Sequence, residues 1–206
     1  MTHYAGCEMQ VKICGLSRLE DIHAVNTAKP DYCGFILYFP KSRRNISTNT
    51  LRALRAELSD TVIPVGVFVD QPPQTIADLL AQNLISIAQL HGHEDETYLS
   101  ALRRLTDQPI WQAFQIHGTQ DILRAEQSTA DLILLDAGQG QGKAFPWDLL
   151  NGICRPFALA GGITQENLPQ AMQTGAQMLD ISSGAETNGK KDFDKILSIV
   201  TTIRGG

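Results

Sequence analysis

Eight short apolar runs recur along the chain at a mean spacing of roughly 24 residues, the size of one β-loop-α unit. Each run is almost continuously apolar, as in strands buried on both faces of a parallel sheet. Amphipathic stretches with helix-start signals separate them. Within 206 residues these observations predict an α/β protein, a single-domain closed (β/α)8 or TIM barrel of minimum size. A doubly wound open sheet is the competing architecture, but no G-x-G-x-x-G follows the first run.

The runs are MQVKIC (9–14), YCGFILY (32–38), IPVGVFV (63–69), LISIAQL (84–90), PIWQAF (109–114), DLILLD (131–136), PFALA (156–160) and QMLDIS (177–182). Between them, Ser17 and Glu20 read as a capping box ahead of DIHAVNTA. DQPPQTIADLLAQ offers Asp70 as a cap and prolines in the first turn. EDETYLSALRRL places acids first and arginines last, matching the helix dipole. TQENLPQAMQTG begins at Thr164 and ends at Gly175, with Pro169 within its first turns. Only WDLLNGI suggests a helix after the sixth strand. One domain is expected over 1–206, with residues 1–8 as a short N-terminal extension.

The net charge of -5 argues against nucleic acid or an anionic membrane as the main partner. It leaves room for a phosphorylated small molecule, because backbone N–H groups bind phosphate without lysine or arginine. Cys7, Cys14, Cys33 and Cys154 form no C-x-x-C and no zinc-like pattern. No metal and no disulfide framework is expected, and reduced thiols suit a cytoplasmic protein. MTHYAGCEMQ has neither a basic nor an apolar leader region, so no signal peptide is read.

Active sites of such barrels lie at the C-terminal ends of the strands. Chain order alone therefore selects Cys14, Gln89 and His91, Asp136, Gly161 and Gly162, and Ser182, Ser183 and Gly184. Side chains two apart share a strand face. If Cys14 faces the mouth, Lys12 lies one layer deeper; if Asp136 does, Leu134 and Leu132 line the interior beneath it. Asp180 and Ser182 share a face, so Lys12 and Asp180 on neighbouring strands form a candidate buried ion pair. The AGGI and SSGAE loops have the chemistry of a phosphate site: glycines admit close backbone approach and serine hydroxyls add donors. The GQGQG loop adds Gly140 and Gly142. A cysteine ending a strand is ordinarily a small buried hydrophobe, and Cys7, Cys33 and Cys154 keep that reading. A strand-end aspartate often caps the next loop, and Arg43 and Arg44 would ordinarily be a solvated pair.

KICG, PKSRR, GVFV, QLHG, LLD, AGG and SSG…E occur in that order over residues 10–194. Together they resemble the phosphoribosylanthranilate isomerase family of tryptophan biosynthesis. The resemblance implies a cofactor-free Amadori rearrangement of N-(5-phosphoribosyl)anthranilate to 1-(2-carboxyphenylamino)-1-deoxyribulose 5-phosphate. It implies Cys14 as general base, Asp136 as general acid and Arg44 as the partner of the anthranilate carboxylate. Gly161–Gly162 and Ser182–Gly184 would hold the phosphate; Gln89 and His91, selected by strand-end position alone, are candidate substrate contacts. The chain would act as a monomer or homodimer.

The loop after the sixth strand departs from the family pattern: Gln139, Gln141 and Pro146 stand where a glycine, a hydroxyl residue and an aspartate are usual. Two other classes stay open at this level: a Schiff-base aldolase using Lys12, and a non-catalytic phosphate-ligand-binding barrel. Strand rise sets Lys12 roughly 7 Å below Cys14, which argues against the aldolase. Nothing in the sequence identifies what would ionise Cys14.

Overall fold

The computed structural model describes residues 8–136, 147–150 and 152–205. The eight predicted runs become strands β1 (Gln10–Cys14), β2 (Tyr32–Leu37), β3 (Ile63–Phe68), β4 (Ile87–Leu90), β5 (Ile110–Gln115), β6 (Leu132–Asp136), β7 (Phe157–Ala160) and β8 (Met178–Ile181). Every neighbouring pair is parallel, and β1 pairs with both β2 and β8, which closes the barrel. The helices are α1 (Leu19–Ala28), α2 (Thr48–Glu57), α3 (Pro73–Ala81), α4 (Glu96–Arg103), α5 (Thr119–Glu126), α6 (Leu168–Ala171) and α7 (Phe193–Ile203). Among the described residues no helix is long and apolar enough to cross a membrane.

Strand alternation splits the apolar residues into two cores. Val11, Ile13, Cys33, Phe35, Ile133, Leu135, Leu159 and Leu179 face outward and meet the helices. Val65, Ile87, Trp111, Leu132, Leu134, Ala158 and Met178 fill the barrel interior. Leu132 and Leu134 therefore lie beneath Asp136, as alternation predicts. Helix α7 shows the matching 3.6-residue logic: Ile196, Ile199, Val200 and Ile203 are its buried stripe.

Local signals marked the starts of α3 and α4. Asp95 accepts from Tyr98 N at 2.9 Å and caps α4, and Pro73 occupies the first turn of α3. Two starts differ from the sequence reading. For α1 the capping acid is Asp21, not Glu20: its carboxylate accepts from Ser17 N at 2.8 Å and Arg18 N at 3.1 Å. The helix begins one residue later than the S-x-x-E spacing assumed, so Asp21 occupies the third position. Asp70 does not cap α3. It sits at φ 51° and turns to the next loop, accepting from His93 N at 2.6 Å.

Two helical readings also shorten. The TQENLPQAMQTG segment is helical only over Leu168–Ala171, because Asn167 Oδ1 takes the Thr164 N–H at 2.8 Å in a turn ahead of it. The stretch after β6 contributes a 3-10 turn, Trp147–Leu150. Gly140, Gly142 and the substitutions at 139, 141 and 146 lie outside the described residues, as do residues 1–7.

Candidate active site

The C-terminal ends of the strands surround a cavity of about 560 Å³. Cys14 from β1, Gln89 from β4, Asp136 from β6 and Asp180 from β8 line it, with Arg44 and His91 from the loops. Gly161, Gly162, Ser182 and Ser183 complete one side. Sequence position alone had selected most of this set. A second cavity, about 540 Å³, opens beside it between the β4 and β5 loops and shares His91. The first holds the strand-end chemistry.

Lys12 and Asp180 form the predicted buried pair. Lys12 Nζ donates to Asp180 Oδ1 and Oδ2, both at 2.9 Å, and Lys12 is fully buried. Burial works against the ammonium, but Asp180 and Cys14 together outweigh it and raise the Lys12 pKa. Though its Cα lies a layer down, the lysine climbs to the level of Cys14. A Cβ placed on Gly34 would meet Cys14 Sγ at 2.7 Å and Lys12 Nζ at 3.1 Å. The glycine of β2 is thus the space in which sulfur and ammonium sit together. Ser182 Oγ donates to Cys14 O at 3.1 Å, fixing the ends of β1 and β8 to each other.

Burial pushes the Cys14 thiol upward; Lys12 pulls it back and Asp180 adds to the rise. The net direction is up, so the resting group is a thiol. Cys33, facing the helices, is pushed by burial to about 12 and keeps its packing role.

Across the mouth, His91 Nε2 and Asp136 Oδ2 lie 3.1 Å apart. Gln89 Nε2 lies 3.3 Å from His91 Nδ1. In the tautomer whose Nδ1 accepts from the Gln89 amide, Nε2 faces Asp136 Oδ2 across one hydrogen bond. Gln89, His91 and Asp136 therefore form one chain of polar groups, and His91 belongs to the site through Asp136.

Arg44 is held rather than free. Its Nε donates to Glu186 Oε1 at 2.6 Å and its Nη2 to Glu186 Oε2 at 2.9 Å. The stem crosses Gly15, where a Cβ would fall 2.4 Å from Arg44 Cδ; that glycine has φ +85°. The final glycine of KICG is thus the platform for the arginine of PKSRR. Arg43 also reaches Glu186, from a largely exposed position. Lys191 Nζ donates to Glu186 Oε1 at 2.8 Å and to Ser182 O at 2.9 Å. Burial opposes the Glu186 charge, yet hydrogen bonds from Arg44 and Lys191 outweigh it and bring its pKa down to about 2.

The sequence reading assigned no role to Glu186 or Lys191. They face each other across a small antiparallel ladder, Glu186–Thr187 against Lys190–Lys191. Its tip, Asn188–Gly189, has both residues at positive φ. The N-G dipeptide between ET and KK was the available signal for that hairpin. The hairpin ties the arginine to the serine loop. Gly184 sits tightly against the other loop: a Cβ there would lie 2.0 Å from Ile163 O.

Comparison with known proteins gives the family. The model of the N-(5'-phosphoribosyl)anthranilate (PRA) isomerase family matches residues 11–202. The chain belongs to this family. An N-(5'-phosphoribosyl)anthranilate isomerase of Endomicrobium trichonymphae is 40% identical over 201 residues, 95% of this chain and 98% of that protein. The Clostridium kluyveri (strain ATCC 8527 / DSM 555 / NBRC 12016 / NCIMB 10680 / K1) protein of the same name is 38% identical over 200 residues, covering 95% and 98%. The crystal structure of phosphoribosyl anthranilate isomerase from Thermotoga maritima is 32% identical, with a TM-score of 0.87 over 96% of this chain and all (100%) of that one. Another phosphoribosyl anthranilate isomerase structure, in complex with reduced 1-(o-carboxyphenylamino)-1-deoxyribulose 5-phosphate, is 32% identical with a TM-score of 0.84, covering 96% and 100%. The phosphoribosylanthranilate isomerase fold accounts for the closed barrel.

Proposed function

We propose that the chain converts N-(5-phosphoribosyl)anthranilate to 1-(2-carboxyphenylamino)-1-deoxyribulose 5-phosphate, with Cys14 as base and Asp136 as acid. One observation carries the assignment. Cys14, Asp136 and Arg44 line a single cavity together with two loops rich in glycine and serine. The substrate needs a proton donor, a proton acceptor, a carboxylate partner and a phosphate cradle, and each has a counterpart there.

The chemistry runs in two stages. Asp136 gives a proton to the ring oxygen as the C1′–O bond breaks and the nitrogen lone pair forms a C1′=N iminium. Cys14 thiolate then takes the C2′ proton, the C–H electrons form C1′=C2′, and the iminium charge is discharged. The resulting enaminol becomes the ketose by protonation at C1′ and loss of the O2′ proton. His91, hydrogen-bonded to Asp136, is a route by which that acid is recharged.

Gly161, Gly162, Ser182, Ser183 and Gly184 take the phosphate through backbone N–H groups and hydroxyls. Arg44 orients the anthranilate carboxylate, and Glu186 keeps its guanidinium in place. No cofactor enters these steps. The chain works as one barrel domain in the cytoplasm, as a monomer or homodimer, without nucleic acid or membrane.

A metal-free fluorescence assay with phosphoribosylanthranilate tests the reading. Turnover is expected in the presence of a chelator. No turnover, with substrate still bound, would favour a non-catalytic binding barrel. Borohydride with substrate is expected to trap nothing, because Lys12 is fully buried and paired. A covalent adduct at Lys12 would favour the aldolase.

A further inference from the structure

We propose that Lys12 is a positioning residue for the proton transfer: its buried ammonium, anchored by Asp180, is the counter-charge on which the Cys14 thiolate forms. The inference rests on the assignment of Cys14 as base and supplies what ionises it.

The geometry is a count of donors. An ammonium has three N–H groups and no acceptor. Asp180 accepts through both of its oxygens, each at 2.9 Å. At least one N–H remains over, and the Cys14 sulfur and the Lys12 nitrogen flank the same point above Gly34. Each favours the charged form of the other, the ammonium drawing the thiol toward its thiolate. Lys12 has no water to turn to, since it is fully buried. Its charge acts chiefly on Asp180 and on the Cys14 thiol.

The other charged or titratable groups around Cys14 do not duplicate this. Asp180, from β8, opposes the thiolate. Lys191, from the hairpin, favours it more weakly than Lys12 and is itself tied to Glu186 and Ser182 O. Cys33, from β2, is a buried thiol on the opposite strand face. Of the two Lys12–Asp180 partners, the lysine influence on Cys14 is the larger. Removing both charges should therefore raise the thiol pKa, not cancel.

This arrangement fits the reaction. In the resting protein Cys14 is a thiol, which is inert as a base. As the thiol gives its proton to solvent in the open cavity, a thiolate is created whose charge would be costly without a partner. Lys12 is already in place, so no rearrangement accompanies the step. When the C2′ proton arrives at sulfur, the thiol is restored and Lys12 remains paired with Asp180.

The test reads the Cys14 thiol directly. In a Cys154→Ser background, the pH midpoint of Cys14 alkylation by iodoacetamide is measured by peptide mass spectrometry. Lys12→Met is the single variant. Because it strands Asp180, the Lys12→Met/Asp180→Asn double variant carries the test if the single one does not fold. Folding is checked by circular dichroism. The midpoint is expected to move up by at least about one pH unit, equal to a tenfold change in thiolate fraction. The limb of the kcat/KM profile that reports the base should move the same way, with KM changed less than kcat. A folded variant whose Cys14 midpoint stays where it was would overturn the proposal. That outcome is separate from failure of the functional reading, which would appear as full turnover in Cys14→Ser with the Lys12 effect on the midpoint still present.

Discussion

Arg44 and Glu186 form a two-point fork, Nε to Oε1 at 2.6 Å and Nη2 to Oε2 at 2.9 Å, between a loop after β2 and a hairpin after β8. The fork fixes the plane of the guanidinium while leaving Arg44 on the wall of the cavity. A planar cation held this way suits a carboxylate ligand. Arg44→Ala should lower kcat/KM about 100-fold, in line with losing hydrogen bonds to a charged group. Arg43, whose side chain is 58% exposed, should matter far less when replaced by alanine. Steady-state kinetics on both variants check the ranking; the reverse order would assign the carboxylate to Arg43.

Lys12 and Asp180 are also a structural pair. Removing one member leaves a charge stranded inside the barrel. Lys12→Met or Asp180→Leu alone should destabilise by about 3–5 kcal/mol, and the double replacement by less than the sum. Urea unfolding of the three variants measures this. Additive losses would mean that the two residues act independently.

Glu186 sets an acid limit on stability. Its folded pKa of about 2 lies below the ordinary value of 4.5. A carboxyl with a depressed folded pKa adds stability above the unfolded value, and that stability disappears as pH falls through the folded one. The window is therefore from about pH 4.5 down to about 2. Thermal unfolding across that window should fall less steeply in Glu186→Gln than in the native chain. Parallel slopes would show that other carboxyls carry the acid response.

The barrel was legible because its signal is periodic. Each strand carries its own apolar run, and closure follows from eight of them. The mouth was legible because chain order alone puts Cys14, Gln89, Asp136 and Ser182 at strand ends. What escaped depends on side chains that leave their own neighbourhood. Asp70 looks like a helix cap locally, but His93 of the next loop offers a better donor. Lys12 belongs to a deeper layer by strand rise, yet its long stem reaches Cys14. Glu186 and Lys191 are ordinary surface types in sequence, and only the hairpin makes them a buried pair that organises Arg44.

Gly162 tests the phosphate loops. It has φ +67° and open space around a would-be Cβ, on the wall of the cavity. Gly162→Val adds both backbone strain and bulk, so Gly162→Ala is the cleaner control. The valine variant should raise KM at least tenfold, about 1.4 kcal/mol, with alanine intermediate. Inorganic phosphate should inhibit the native chain competitively. An unchanged KM in both variants would place the phosphate elsewhere.

Cys14 and Asp136 face one cavity from strands separated by β7 and β8. The scheme needs one to accept a carbon-bound proton and the other to donate to the ring oxygen. Cys14→Ser preserves the shape but replaces a thiol with a hydroxyl that does not ionise near neutrality. Asp136→Asn preserves contacts with His91 but has no acidic proton. General acid and general base contributions are each worth about 10²–10⁴-fold. Each variant should therefore fold, bind a product analogue, and lose at least about two orders of magnitude in kcat. The kcat/KM profile of the native chain should be bell-shaped, with each variant removing one limb. Iodoacetamide should inactivate the native chain through Cys14, and product should protect it, because the thiol lies on the cavity wall. Near-full turnover in Cys14→Ser would return that cysteine to packing. The base would then have to be sought elsewhere, His91 first, since it lies against Asp136.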